Sequence, residues 1–212
     1  MKTTKTLLVL MILLTSSSLI AQTKIGLTAG ASFANIKAKA SGISVSGKTK
    51  AGFTGGLFID FPLNSTFSFQ PALNFVQKGS KSSDETYSDE LNYNYLEIPL
   101  NFVYNNSGFF IGAGPSISSG LSGKEKYVDK QDPSQSENTK VIFGSDDDEA
   151  KRFEFGANVL TGYKFAGGFM VSANYNLGLS NIANSDVREG GTVKNRYFAV
   201  KIGYVFGSTK KK

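Results

Sequence analysis

Between Arg152 and Leu179 the chain alternates apolar and polar residues with a period of two, interrupted once by Phe165-Ala166-Gly167-Gly168. Phe153, Phe155, Ala157, Val159, Thr161, Tyr163 and Phe165 fall on one face of the first run. Glu154, Gly156, Asn158, Leu160, Gly162 and Lys164 fall on the other. Phe169, Val171, Ala173, Tyr175, Leu177 and Leu179 resume the apolar face after the interruption. Period two places alternate side chains on opposite faces of a strand, so the stretch predicts an antiparallel hairpin. Each run exceeds the five or six residues usual in a soluble sheet. The length suits a tilted membrane-spanning strand of about 9–11 residues.

The same alternation recurs at 24–36, 51–61, 66–78, 93–104, 109–121 and 196–206, giving eight strands with the opening pair. The links at 37–50, 79–92, 122–151 and 180–195 are long. The three between them are short turns, such as Pro62-Leu63-Asn64-Ser65 and Asn105-Asn106-Ser107-Gly108. An even strand number with alternating short and long links is the plan of an outer-membrane barrel. The expected fold is all-β, an eight-stranded antiparallel up-and-down transmembrane β-barrel with short periplasmic turns and long extracellular loops. Pro71, Pro99 and Pro115 cannot donate to a ladder and predict bulges or broken pairing.

Aromatic residues mark the ends of the strands. Phe61, Phe67, Tyr104, Phe109, Tyr163, Phe165, Phe169, Tyr204 and Phe206 flank the short turns on the apolar face, where an interfacial girdle belongs. Phe33, Phe53, Phe75, Phe153 and Phe198 form a looser set at the other end. The polar rows are rich in Gly, Ser and Asn, which suit the crowded interior of a narrow barrel. A water-facing sheet would carry more charge there. The apolar face is therefore expected to meet lipid. A soluble exported carrier, with that face turned inward, is the weaker alternative.

The N-terminal segment fits export. Lys2 and Lys5 precede the apolar run Leu7–Leu14, and a Ser-rich stretch ends at Ala21 before Gln22. Residues 1–21 are expected to be a cleaved signal peptide and 22–212 the barrel domain, destined for the cell outer membrane. Five of the six net positive charges come from Lys2, Lys5 and Lys210–Lys212, so the barrel itself is nearly neutral and nucleic acid is not an expected partner. The tail Lys210–Lys212 could touch anionic inner-leaflet lipid or stand free.

The 212 residues contain no cysteine and no histidine, which excludes disulfides and thiolate metal sites. Outer-membrane barrels that hydrolyse or transfer acyl groups use a histidine for proton transfer, so a non-enzymatic protein without cofactor is expected. Asp146-Asp147-Asp148-Glu149 could hold Ca2+ weakly, but it lacks the alternating spacing of a calcium loop and reads better as solvated acid. The inward charges are Asp60, Lys78, Glu97, Arg152, Glu154, Lys164 and Lys201. Burying them unpaired in a narrow lumen is costly. Glu97 and Lys201 lie in strands that face each other across the ring. They are expected to meet, directly or through other groups, in a lumen charge network with Arg152, Glu154 and Lys164, the alternative being contact with water or near neighbours alone.

Six stretches together resemble the PorT-type outer-membrane β-barrel family of Bacteroidota: FSFQPALNFVQKGSK (67–81), YLEIPLNFVY (95–104), FFIGAGPSISSGLSGK (109–124), FEFGANVLTGYKF (153–165), YNLGLSNI (175–182) and YFAVKIGYVF (197–206). The resemblance covers almost all of the chain after the signal segment and implies a barrel seated in outer-membrane lipid, inserted by the barrel-assembly machinery. The naming member is associated with type 9 protein secretion. The expected role is structural or interactive, with loops presented to a surface partner or the periplasmic side assisting a secretion machine. A small channel or transporter is the alternative.

Overall fold

The computed structural model describes residues 23–144, 150–183 and 191–207. The signal segment, the acidic run Asp146–Glu149 and the lysine tail lie outside the described residues. Twelve strands occur among them. Eight build the wall: β1 (Lys24–Ala40), β3 (Lys50–Pro62), β4 (Phe67–Ser83), β5 (Tyr87–Asn106), β6 (Phe109–Asp129), β10 (Phe153–Lys164), β11 (Phe169–Gly178) and β12 (Gly191–Val205). Each pairs antiparallel with the next, β6 passes directly to β10, and β12 returns to β1 at Ala29↔Ile202. The ring of eight closes by its own hydrogen bonds, so no wall edge is left for another chain.

Exposure alternates with the sequence pattern. Ile25, Leu27, Phe53, Leu57, Phe102, Ile111, Phe155, Val159, Val171 and Ile202 point outward and are exposed. Ser32, Thr54, Asn74, Asn101, Ser116, Asn158, Asn174 and Asn176 point inward and are buried. A large apolar outer surface around a polar core has no favourable state in water, and lipid is the solvent it fits.

The short turns fall where the sequence places them. Ser107 and Gly108 join β5 to β6 with positive φ at both residues (49° and 93°), the conformation a two-residue hairpin needs. Gly167 and Gly168 take positive φ in the β10–β11 turn.

The long links differ from expectation, because much of 79–92 and 122–151 is strand. Lys81 pairs with Glu90 and Ser82 with Asp89, and the β4–β5 ladder continues to Ser83↔Ser88. β6 runs to Asp129 against Tyr87, and β7 (Glu137–Val141) adds a further strand along it. Beyond the membrane these residues are mostly polar on both faces, with Leu91 and Val141 among the exceptions, so period two has little apolar to mark it. β1 likewise continues to Ala40 and folds back through Ser41-Gly42 onto β2 (Ile43–Ser46). β8 (Phe143–Gly144) and β9 (Ala150–Lys151) form a small separate pair.

The prolines interrupt pairing without shifting register. The β4–β5 ladder stops at Pro71↔Leu100 and resumes in the same register at Asn74↔Glu97, and β5–β6 does the same after Pro99↔Ser116. The register shift lies elsewhere, between Asn94 and Tyr95, where Ser122 and Gly120 are paired and Leu121 is left over.

Candidate functional site: the sealed lumen

The inward faces stack in layers along the barrel. At the periplasmic end, Lys164 Nζ lies 3.0 Å from Asp60 and 3.1 Å from Asn105 Oδ1. Above this pair, Phe58, Val103, Phe110, Leu160, Met170 and Val205 form an apolar plug. Glycines make room for it. A Cβ on Gly26 would lie 2.2 Å from the Phe58 ring, and one on Gly162 would lie 2.5 Å from that of Phe110. Glycine is required here by close approach rather than by backbone angle.

The next layer is amide. Asn158 Nδ2 donates to Asn101 Oδ1 at 2.9 Å, and Asn174 Nδ2 to Asn158 Oδ1 at 3.2 Å. A cavity of about 30 Å³ opens among these groups, Gln70, Ser172 and Lys201. It can hold a water. The Gln70 amide nitrogen and Asn174 Oδ1, both buried, have no partner among the described residues and face this space.

One layer higher is an ionic centre. Lys78 Nζ lies 3.0 Å from Glu97 and 3.5 Å from Glu154, with all three side chains no more than 2% exposed. Ser118 Oγ donates to Glu97 at 3.1 Å, the Tyr197 hydroxyl donates to its other oxygen, and Asn195 Nδ2 donates to Glu154 at 2.9 Å. Lys78 also sits 4.7 Å from the Tyr95 ring centre and 5.3 Å from that of Tyr197. Such contacts hold a desolvated cation. At the extracellular end Ile36, Tyr93, Tyr95, Phe143 and Ile182 form a second apolar plug.

The charges named from the sequence therefore divide. Glu97 makes its ion pair with Lys78, not with Lys201. Lys201 makes no ion pair among the described residues and lines the amide cavity. Two carboxylates stand against one lysine in the ionic centre, and Lys201 lies one layer below. Glu154 belongs to the centre, whereas Lys164 belongs to the separate periplasmic pair. Arg152 stands outside the lumen contacts and donates to the Phe143 carbonyl at 2.6 Å at the extracellular mouth.

The groups that sequence reasoning passed over are Tyr95, Tyr197, Asn195 and Ser118. All lie at inward parity, and their signal was an OH or amide at positions otherwise occupied by Gly or small residues. The girdle residues lie on the outer wall beside the short turns, where rings touch in pairs: Phe67–Tyr104 at 5.5 Å, Tyr163–Phe165 at 5.0 Å, Phe169–Tyr204 at 5.3 Å and Tyr204–Phe206 at 5.2 Å. Phe109 is exposed and Phe61 half-buried on the same rim.

Residues 20–184 match the sequence pattern of the outer membrane protein beta-barrel domain, which is most of the chain. The chain belongs to that family. As an outer membrane β-barrel domain it is an integral outer-membrane protein, and its lipid-facing wall agrees. No curated protein matches the sequence. Among solved structures it is similar to Ail, the attachment invasion locus protein of Yersinia pestis, at 15% identity over 86% of this chain and 98% of that one, with a TM-score of 0.48. It is similar to Neisserial surface protein A at 12% identity over 85% and 96%, with a TM-score of 0.48. The outer membrane protease OmpT of Escherichia coli aligns at 12% identity over 87% and 96%, with a TM-score of 0.35.

Proposed function

We propose that the protein is a closed, non-enzymatic barrel that anchors an extracellular arm and presents it to a partner protein at the cell surface. The observation that carries this reading is the contrast between the two halves of the molecule. The lumen is filled by two apolar plugs and a buried ionic centre, whereas β4, β5, β6 and β7 continue past the membrane as a paired, polar sheet. At its tip Tyr87 and Tyr127 stack at 6.2 Å with more than a third of each exposed. Exposed tyrosines on a rigid support are well suited to protein contact. The arm makes surface presentation the better supported reading than assistance from the periplasmic side. The resemblance to PorT-type barrels of Bacteroidota supports a secretion-linked partner.

Two measurements test the reading. Purified protein in planar bilayers is expected to give no steady single-channel steps, and steady steps would instead establish a channel. Photocrosslinkers placed at Tyr87 or Tyr127 in intact cells are expected to capture a discrete protein that those at Asn64 or Ala166, on the periplasmic turns, do not. Capture from the turns alone would move the working surface to the periplasm.

A further inference from the structure

The outer wall above the aromatic row carries cations that have no ion-pair partner among the described residues. On the β11–β12–β1 wall, Tyr175, Phe198 and Phe33 share one outward rung. The next outward rung is Leu177, Arg196 and Asn35, and the one above it pairs Lys194 directly with Lys37. Lys39 follows, opposite Thr192. Successive outward rungs are about 7 Å apart along a strand. Ten residues separate Phe206 at the periplasmic rim from Arg196. At the usual barrel tilt that separation spans the roughly 25 Å apolar band, which puts Arg196, Lys194 and Lys37 at the height of the outer-leaflet headgroups.

Like charges directly opposite each other across two strands weaken a sheet. Among the described residues nothing on these rungs offsets the repulsion. The outward neighbours are Asn35, Leu177, Ser44 and Ser46. None of Lys37, Lys39, Lys194 or Arg196 makes an ion pair among the described residues. Arg196 is instead held in place by neutral groups, donating from Nε to Asn35 Oδ1 at 2.6 Å and from Nη2 to Ser46 Oγ at 3.1 Å. Those bonds fix the guanidinium against the wall, where its charge meets no carboxylate among the described residues. The opposite side of the barrel repeats the like-charge pairing, with Lys124 opposite Lys140 on β6 and β7 and Asn92 beside Lys124, although the next rung sets Glu90 opposite Lys126.

We propose that these rungs seat the phosphate groups of the outer-leaflet glycolipid, with Arg196, Lys37 and Lys194 forming the principal seat at the β1–β12 junction. Arginine can grip a phosphate with two parallel N–H donors, and the two lysines add point charge on the rung above. The lipid chains lie against Phe198, Phe33 and Tyr175 directly below. A phosphate between Lys37 and Lys194 turns their repulsion into shared attraction, which accounts for a pairing that the sheet alone disfavours.

The test uses the full chain refolded in zwitterionic micelles and titrated with diphosphoryl lipid A, with backbone amide shifts as the readout. Shifts at Lys37, Lys194 and Arg196 are expected, with affinity falling about 25-fold in Lys37→Gln/Lys194→Gln and about fivefold in Arg196→Gln, since each charge near an anionic lipid surface contributes about fivefold. Lys130→Gln, at the tip of the arm, is expected to bind like the parent. Heat-modifiable gel migration confirms that each variant is folded. Dephosphorylated lipid A and inorganic phosphate are each expected to leave these amides unmoved. Equal binding by the double variant, or by dephosphorylated lipid, overturns the proposal, and equal shifts with inorganic phosphate overturn the lipid as its source.

Discussion

Lys78 and Glu97 meet at 3.0 Å in the middle of the lumen, with the lysine side chain 1% exposed and the carboxylate fully enclosed. Neither charge reaches bulk water, so each depends on the other and on Glu154, Ser118, Tyr197 and Asn195. Removing one member of such a group strands the rest. Lys78→Met is expected to cost about 3–5 kcal/mol, measured by urea unfolding in phospholipid vesicles with circular dichroism. Lys78→Met/Glu97→Gln/Glu154→Gln, which removes all three charges, is expected to recover most of that loss. A triple variant no more stable than the single would show that the charges do not act as a unit.

The Asp60–Lys164 pair has the same length, 3.0 Å, but a fifth of the lysine side chain is exposed at the periplasmic mouth. Water screens it. Lys164→Ala is expected to cost about 1 kcal/mol or less in the same unfolding experiment. The contrast between two ion pairs of equal length isolates the effect of burial.

Gly26 and Phe58 form a size-matched pair in the lower plug. Gly26→Ala forces a methyl into the Phe58 ring and is expected to destabilise the barrel by about 1–3 kcal/mol. Adding Phe58→Leu is expected to restore part of that, because the smaller side chain vacates the space. A neutral Gly26→Ala would mean the ring can swing aside at no cost.

Asp84 closes the turn of the β4–β5 arm. Its carboxylate accepts from the backbone N–H of Tyr87 at 2.9 Å and of Thr86 at 2.8 Å, and these bonds hold its pKa below the ordinary aspartate value. A depressed folded-state pKa contributes stability that is present above the unfolded value, near 4, and is lost as pH falls through the lower folded value. Carboxyl chemical shifts across pH 2–5 are expected to show Asp84 titrating late on acidification. Asp84→Ala is expected to broaden the amide signals of Thr86 and Tyr87 while leaving those of the lumen unchanged.

The ring of eight was legible because lipid and lumen impose opposite chemistry on alternate residues of each wall strand. Where that contrast ends, on the extracellular side of Lys78 on β4 and Tyr93 on β5, the residues are mostly polar on both faces and the same ladder reads as a loop. The prolines were legible as disturbances but not as in-register gaps, since sequence shows a missing donor and not where the pairing resumes. Among the charges, parity showed which residues point inward, Arg152 excepted. It could not show partners, because a lysine reaches far from its own rung. Lys78 sits opposite Tyr93 on β5, yet its amine descends to Glu97, whose own opposite residue is Asn74. Glu97 was thus matched across the ring to Lys201, while its partner stood on the neighbouring strand.

β5 is a single strand of 20 residues, about 68 Å of continuous backbone at 3.4 Å per residue. It carries Tyr87 at the outer tip, Tyr95 and Glu97 in the sealed centre, and Asn106 at the inner turn. A load applied at the tip is therefore shared along the β4 and β6 ladders before it reaches the residues that close the barrel. Tip and seal are mechanically one part, and traction outside the cell bears on the same hydrogen bonds that keep the interior shut.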